Sequence, residues 1–192
     1  ENPPPRHMIF GFTPRLYQET ILNTCTKDNT LVVLPTGLGK TAIAMLLACH
    51  RLTQHPGTKI VFLAPTKPLV MPHLRTFTTH LSLPPQEMAV FTGEVSPEKR
   101  AALWQDSRII FATPQSLEND VLSNRLCFTD VSLLVVDEAH RAVGDYAYVY
   151  LAQRYLAKAR FPRILALTAS PGATMEHILD VCKNLSIKEL EV

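Results

Sequence analysis

The chain has 192 residues, of which 46% are hydrophobic and 19% charged, with a net charge of +2. That length supports one domain with a sizeable core, and the composition excludes a disordered or low-complexity chain. The charge is too balanced to signal a nucleic-acid partner by itself, so any such partner has to be read from local motifs.

In chain order, the proline-rich Asn2-Pro3-Pro4-Pro5 stretch reads as linker. Residues 1–11 are read as a linker or N-terminal extension, and 12–192 as one domain. Residues 30–34 form a β-branched and aliphatic run of the kind that fills a strand buried on both faces. Good helix formers follow over 40–48. A strand is expected at 59–63, then a helix within 67–80, interrupted by Pro68 and Pro72. Residues 88–91 form a short strand, and Ser96-Pro97 starts a helix through Trp104, with proline suited to the first helical position. A strand at 108–112 leads into a helix opened by Thr113-Pro114. Strands at 132–136 and 163–167, helices at 146–159 and 174–185, and a last strand over 187–192 complete the order. Such alternation predicts an α/β fold, with a mostly parallel sheet and helices on both faces.

The first motif closes the strand at 30–34. Leu34-Pro35-Thr36-Gly37-Leu38-Gly39-Lys40-Thr41 is a glycine-bearing loop running into a helix. Two glycines allow a tight turn and close backbone approach, and the N–H groups at the helix start suit phosphates. Lys40 is placed to reach the β- and γ-phosphates of a nucleotide, and the Thr41 hydroxyl to ligate Mg²⁺. Leu34 stands where the general pattern has its first glycine.

The second motif, Asp137-Glu138-Ala139-His140, closes the strand at 132–136. In open α/β sheets that edge is where ligands bind. Asp137 suits Mg²⁺, directly or through a water, and Glu138 can orient or deprotonate an attacking water.

Three further strand ends carry polar punctuation. They are Pro65-Thr66-Lys67, Thr113-Pro114-Gln115 and Thr168-Ala169-Ser170-Pro171-Gly172, and Thr92-Gly93 extends the series. Small hydroxyls and free N–H groups at helix starts can hold a nucleic-acid backbone without reading its sequence. Cys25, Cys49, Cys127 and Cys182 form no C-x-x-C pair, and the histidines lack ligand spacing beside them. Buried, reduced thiols are expected, with no zinc site. No apolar run approaches the length of a membrane span.

Together these segments resemble the ordered motifs of superfamily 2 helicases, specifically the first RecA-like domain, a three-layer P-loop NTPase fold. The resemblance covers almost the whole chain. It makes 34–41 motif I, 64–70 motif Ia, Thr113-Pro114-Gln115 motif Ib, 137–140 motif II and Thr168-Ala169-Ser170 motif III. It implies ATP and Mg²⁺ as ligands, with Lys40, Thr41, Asp137, Glu138 and His140 as the catalytic set. Thr41, Asp137 and Glu138 would hold the metal, partly through water. Arg15 and Gln18, in Arg15-Leu16-Tyr17-Gln18, resemble the segment whose glutamine reads the adenine edge. Pro65, Thr66, Lys67, Thr92, Gly93, Thr113, Pro114 and Gln115 would carry the nucleic acid, and Thr168, Ala169 and Ser170 the coupling between sites.

The stretches Ala-Pro-Thr-Lys-Pro-Leu-Val, Asp-Glu-Ala-His-Arg-Ala-Val-Gly-Asp-Tyr-Ala-Tyr and Thr-Ala-Ser-Pro-Gly narrow the resemblance to the Hef and FANCM type of fork-remodelling helicases. That type implies ATP-driven translocation on branched DNA, in the nucleus of a eukaryote or the cytoplasm of an archaeon or bacterium. It also implies a second RecA-like domain as partner, carrying the arginine fingers. A chain starting at Glu1 and ending at Val192 is therefore expected to be a fragment that binds nucleotide weakly and hydrolyses it slowly or not at all. Two alternatives stand beside this reading: a duplex-RNA-stimulated ATPase, whose second box usually has cysteine where Ala139 stands, and a catalytically silent docking module.

Overall fold

The structure, a computed structural model, describes residues 9–35, 39–169 and 174–192. Thr36, Gly37, Leu38 and Ser170, assigned above to the phosphate loop and to coupling, lie outside the described residues, as does most of the 1–11 extension.

The described residues form seven strands and seven α-helices in near-strict alternation. They are α1 (Leu16–Lys27), β1 (Thr30–Val33), α2 (Lys40–Gln54), β2 (Lys59–Leu63), α3 (Lys67–His80), β3 (Met88–Phe91), α4 (Pro97–Asp106), β4 (Ile109–Ala112), α5 (Pro114–Leu122), β5 (Val131–Val136), α6 (Ala147–Lys158), β6 (Ile164–Thr168), α7 (Met175–Asn184) and β7 (Glu189–Glu191). Two short 3₁₀ turns, Pro85–Glu87 and Ala139–Arg141, complete the list. The strand order is β3-β4-β2-β5-β6-β1-β7, and every pairing is parallel.

Alternation along the central strands splits the core in two. On one face Leu134 and Val136 of β5, with Val61, Leu63 and Ala166, pack under α4, α5, α6 and α7. On the other, Leu133 and Val135, with Ile60, Phe62 and Leu165, pack under α1, α2 and α3. This is the three-layer arrangement expected, and it explains why the central strands are apolar throughout. None of the helices in the described residues is long and apolar enough to cross a membrane.

Two local expectations need correction. Helix α3 is not interrupted: Pro68 sits within its first turn and Pro72 inside the helix. A proline near the start removes N–H groups that have no partner anyway, and Pro72 forfeits a single bond while Phe77, little more than a turn further on, is fully buried. Burial of the helix face outweighs that loss. Helix α1, to which no element was assigned, buries only Gln18, Ile21 and Cys25, too sparse a stripe to stand out.

The thiols also differ from expectation. Cys25 is buried and Cys49 and Cys182 half-buried, but Cys127 is exposed. Burial pushes the Cys25 thiol up to about 11 and the Cys49 thiol up to about 12. A hydrogen bond with the Thr129 hydroxyl, 2.9 Å away, instead lowers Cys127. Thiolate is the reactive form, so a chromogenic disulfide added to the folded protein near pH 8 should react first at Cys127. Replacing Cys127 with serine should abolish the fast phase, and a fast phase surviving that change would contradict the assignment.

Candidate functional site

Because every strand runs the same way, all the strand carboxyl ends share one edge of the sheet. Strands β1 and β5 flank β6, so the phosphate loop and the acidic end stand on either side of it. Two hydrogen bonds carry the ladder past the strand ends, Leu34 N–H to the Thr168 carbonyl at 3.1 Å and Asp137 N–H to the Leu63 carbonyl at 2.9 Å.

A cleft of about 480 Å³ opens there. Gly39, Lys40, Thr41, Asp137, Glu138 and Ala169 line it, together with Phe12, His73, Thr76 and His80. The groups expected to meet therefore do meet. The Lys40 ammonium donates to the Leu34 carbonyl at 2.8 Å. His73, which no motif contains, lies 2.9 Å from both the Thr41 hydroxyl and the Asp137 carboxylate. A carboxylate can only accept, so Nε2 of His73 carries a proton toward Asp137. In the neutral ring Nδ1 then accepts from the Thr41 hydroxyl. The ring rests on Phe62, with centroids 4.4 Å apart.

Thr41 and Asp137 are hard oxygen donors, and no group of three or more His, Cys, Asp or Glu side chains that could hold a metal ion occurs among the described residues. A donor pair of that kind fits Mg²⁺, which keeps waters and takes its other ligands from substrate phosphates.

Glu138 adopts a left-handed conformation, φ 54° and ψ 44°. That conformation costs a non-glycine residue about 1–2 kcal/mol, and such strain tends to gather where function needs it. Its carboxylate lies 3.3 Å from His140 Nε2, and His140 Nδ1 lies 3.0 Å from the Thr168 hydroxyl. His140 thus bridges the acidic end and the end of β6 rather than facing the cleft, which it does not line.

Gln18 is buried. Its side-chain oxygen accepts from the Arg15 N–H at 2.9 Å, and its amide lies behind Gly39, where an added Cβ would fall 2.3 Å from Nε2. Gly39 has φ +84° as well, so the backbone conformation favours glycine there, and a Cβ would displace the Gln18 amide. Arg15 is exposed, and neither Arg15 nor Gln18 lines the cleft; Leu34 is buried and Pro35 exposed.

The strand ends on the other half of the edge belong to three neighbours, β3, β4 and β2. Thr66, Lys67, Gly93 and Gln115 are exposed there. Pro65, Thr92 and Pro114 are buried and shape the edge from beneath. The Thr92 hydroxyl accepts from the Glu94 N–H at 3.3 Å, and the Thr113 hydroxyl pairs with that of Ser116 at 2.9 Å. Lys67 forms an ion pair with Glu94. Under this half, Arg100 donates to both oxygens of Asp120 at 2.6 and 2.9 Å and to the carbonyls of Thr92 and Val95. Both side chains are almost fully buried. The pair therefore ties the Thr92–Val95 loop to α5, whose N-cap is Thr113.

The segment from Gly144 to Tyr148, part of the stretch that narrows the resemblance, runs into the start of α6. The Tyr148 hydroxyl donates to the Asp137 carbonyl at 2.7 Å in a fully buried setting, and burial pushes its pKa far above the usual phenol range. From α7, His177 and Asn184 bond the carbonyls of His140 and Ala142 at 2.7 and 3.0 Å. His73, His177 and Arg100 carry no motif signal, whereas Tyr148 closes the stretch after the acidic box that narrows the resemblance.

Tyr148→Phe would leave the Asp137 carbonyl without its buried donor, a loss of about 1–3 kcal/mol. Urea unfolding should show a lower midpoint at unchanged slope, and an unchanged midpoint would remove Tyr148 from this anchoring role.

Comparison with known proteins agrees with this geometry. The DEAD/DEAH box helicase family model matches residues 15–178. The helicase domain of Hef from Pyrococcus furiosus superposes with a TM-score of 0.90 at 52% identity, over 93% of this chain and 38% of that one. An ATP-dependent DNA helicase named Fancm from Drosophila melanogaster is 45% identical over 93% of this chain and 12% of its own length. A putative ATP-dependent RNA helicase from Methanocaldococcus jannaschii is 42% identical over 93% of this chain and 22% of its own length. The chain thus spans less than a quarter of these curated relatives, and it belongs to the DEAD/DEAH box helicase family.

Proposed function

We propose that the chain is the ATP-binding motor domain of an ATP-dependent DNA helicase or translocase acting on branched or forked DNA in repair and replication restart. The observation that carries this reading is the approach of Thr41 and Asp137 to one imidazole at 2.9 Å each, in a cleft that also takes Lys40 and Glu138.

In this reading Lys40 exchanges the Leu34 carbonyl for the β- and γ-phosphates, and helix α2 presents its N-terminus to them. Thr41 and Asp137 would hold Mg²⁺, which when bound neutralises charge developing on the transferred phosphoryl group. Glu138, held out of regular geometry, orients the attacking water and accepts its proton. His140 relays the state of Glu138 to Thr168 and Ala169 at the end of β6. Thr66, Lys67, Gly93 and Gln115 hold a strand by its backbone, which gives register without sequence preference. Gln18 and Arg15 are assigned to the adenine, together with the Phe12 ring at the cleft wall. A second RecA-like domain would close the cleft and supply arginine fingers, worth about 10³–10⁵ in rate. By itself, therefore, this domain should turn over ATP slowly. The reading places the protein in the nucleus of a eukaryote or the cytoplasm of an archaeon or bacterium.

The similarity to the Methanocaldococcus protein, named as an RNA helicase, favours a second reading, with RNA as the nucleic acid. Comparing ATPase stimulation of the intact protein by branched DNA and by duplex RNA decides between the two.

In the intact protein, Lys40→Ala should lower ATP turnover by roughly 10²–10³-fold, the scale of losing one charge-stabilising donor, with the melting temperature unchanged. Glu138→Gln should lower turnover while retaining nucleotide binding. Normal turnover in either variant would sink the assigned role.

Glu94→Gln should release Lys67 for phosphate. Single-stranded DNA affinity, read by fluorescence anisotropy, should rise about two- to fivefold at low salt, as expected for a surface ion pair, and less at high salt. An unchanged or weakened affinity would argue that Lys67 does not meet the backbone.

A further inference from the structure

We propose that His73 is a positioning residue that competes with magnesium for Thr41 and Asp137. Loading the metal on the nucleotide half of the edge then displaces a side chain of α3, the helix that begins on the nucleic-acid half. The inference rests on the nucleotide-site reading above and names a regulator of that site which the helicase motifs do not contain.

Both ring nitrogens are committed. The Asp137 carboxylate accepts from Nε2, and the Thr41 hydroxyl donates to Nδ1, each across 2.9 Å. A hydrated magnesium ion bound directly to Thr41, at about 2.1 Å, would reach the Asp137 carboxylate through one of its waters. That ion and its water would lie between the two oxygens, in the space that the imidazole fills. The ring and the hydrated ion cannot occupy it together.

The ring cannot leave without consequence. It is packed on Phe62, which belongs to an aromatic cluster with Phe77 and Phe111. It also belongs to a stripe on α3, His73, Thr76 and His80, that forms one wall of the cleft. At the far end of that stripe, His80 lies 2.9 Å through Nδ1 from the Phe10 carbonyl, and its ring is 6.1 Å from Phe12. At the other end α3 starts at Lys67, with Thr66 as its N-cap. One rigid element therefore touches the metal ligands at its middle and the exposed strand-holding residues at its start. Displacing His73 repacks the helix against Phe62, and that is a physical route from metal loading to the grip on a strand.

Competition and preorganisation make opposite predictions. If His73 excludes the metal, a fraction of the protein is held in a form that cannot bind it, and apparent affinity is reduced by that fraction. If His73 merely braces Thr41 and Asp137 for the metal, removing it weakens metal binding.

The test uses the intact protein and a fluorescent ATP analogue at fixed concentration, titrated with Mg²⁺. In His73→Ala the Mg²⁺ midpoint should fall about five- to a hundredfold, the scale of two lost hydrogen bonds, while affinity for the analogue in chelator stays unchanged. A general structural role would shift both together. In the unmodified protein, the His73 ring resonances should move on adding Mg²⁺ to the analogue-bound form and stay in place when the analogue is added in chelator.

A midpoint that is unchanged or higher in His73→Ala overturns the proposal, as does a ring signal indifferent to Mg²⁺. If the unmodified protein binds the analogue with Mg²⁺ but either of those results appears, only the competition fails. If it binds no Mg²⁺-nucleotide at all, the nucleotide reading falls and takes this inference with it.

Discussion

The structure depends on one constraint, burial of a parallel sheet on both faces. A strand covered above and below cannot carry unpaired polar groups along its length, so its chemistry is confined to its ends. Parallel strands return through helices, so those ends collect on one edge. Asp137 stands where the buried run of β5 stops, and Leu34 opens the phosphate loop where β1 stops. Had one of these strands run the other way, its motif would lie at the opposite edge of the molecule.

The shared edge also divides cleanly. Strands β5, β6 and β1 carry the nucleotide half, and β3, β4 and β2 the half with exposed hydroxyl, amide and ammonium groups. The β2–β5 ladder joins the halves, as does α3, which spans from the end of β2 to the metal ligands. Within the nucleotide half, the Glu138–His140–Thr168 chain crosses from β5 to β6. Packed interiors shift between discrete arrangements rather than deform smoothly, so a change at one of these contacts has few ways to stay local.

The sequence displayed the parts of this molecule whose chemistry demands particular residue types in a row. Buried strands need uninterrupted β-branched runs, a phosphate loop needs glycines before lysine, and helix starts recruit proline. Those features put the strands, the helices from α2 onward and the Lys40–Asp137 meeting within reach of reading. What stayed hidden depends on partners distant in the chain. His73 is separated from Asp137 by most of three strands, and no local pattern marks an imidazole that will bridge two motifs. Arg100 and Asp120 look like ordinary surface charges until folding buries them together. Helix α1 was missed because its inward face is carried by a glutamine and a cysteine as much as by Ile21. In α3 a local rule about proline yielded to burial of Val70 and Phe77.

Helix α6 carries two buried tyrosines on one face. Tyr148 ends on the Asp137 carbonyl, while the Tyr155 hydroxyl accepts from the Arg163 N–H at 3.0 Å and lies 3.3 Å from its carbonyl. One helix thus clasps the finish of β5 and the entrance to β6. Loosening the acidic box therefore means lifting α6 from the sheet, a sub-global opening rather than a local fray. Backbone amides around Asp137 belong, on this account, to the slowest-exchanging set of the domain, although the site they support has to tolerate ligands coming and going.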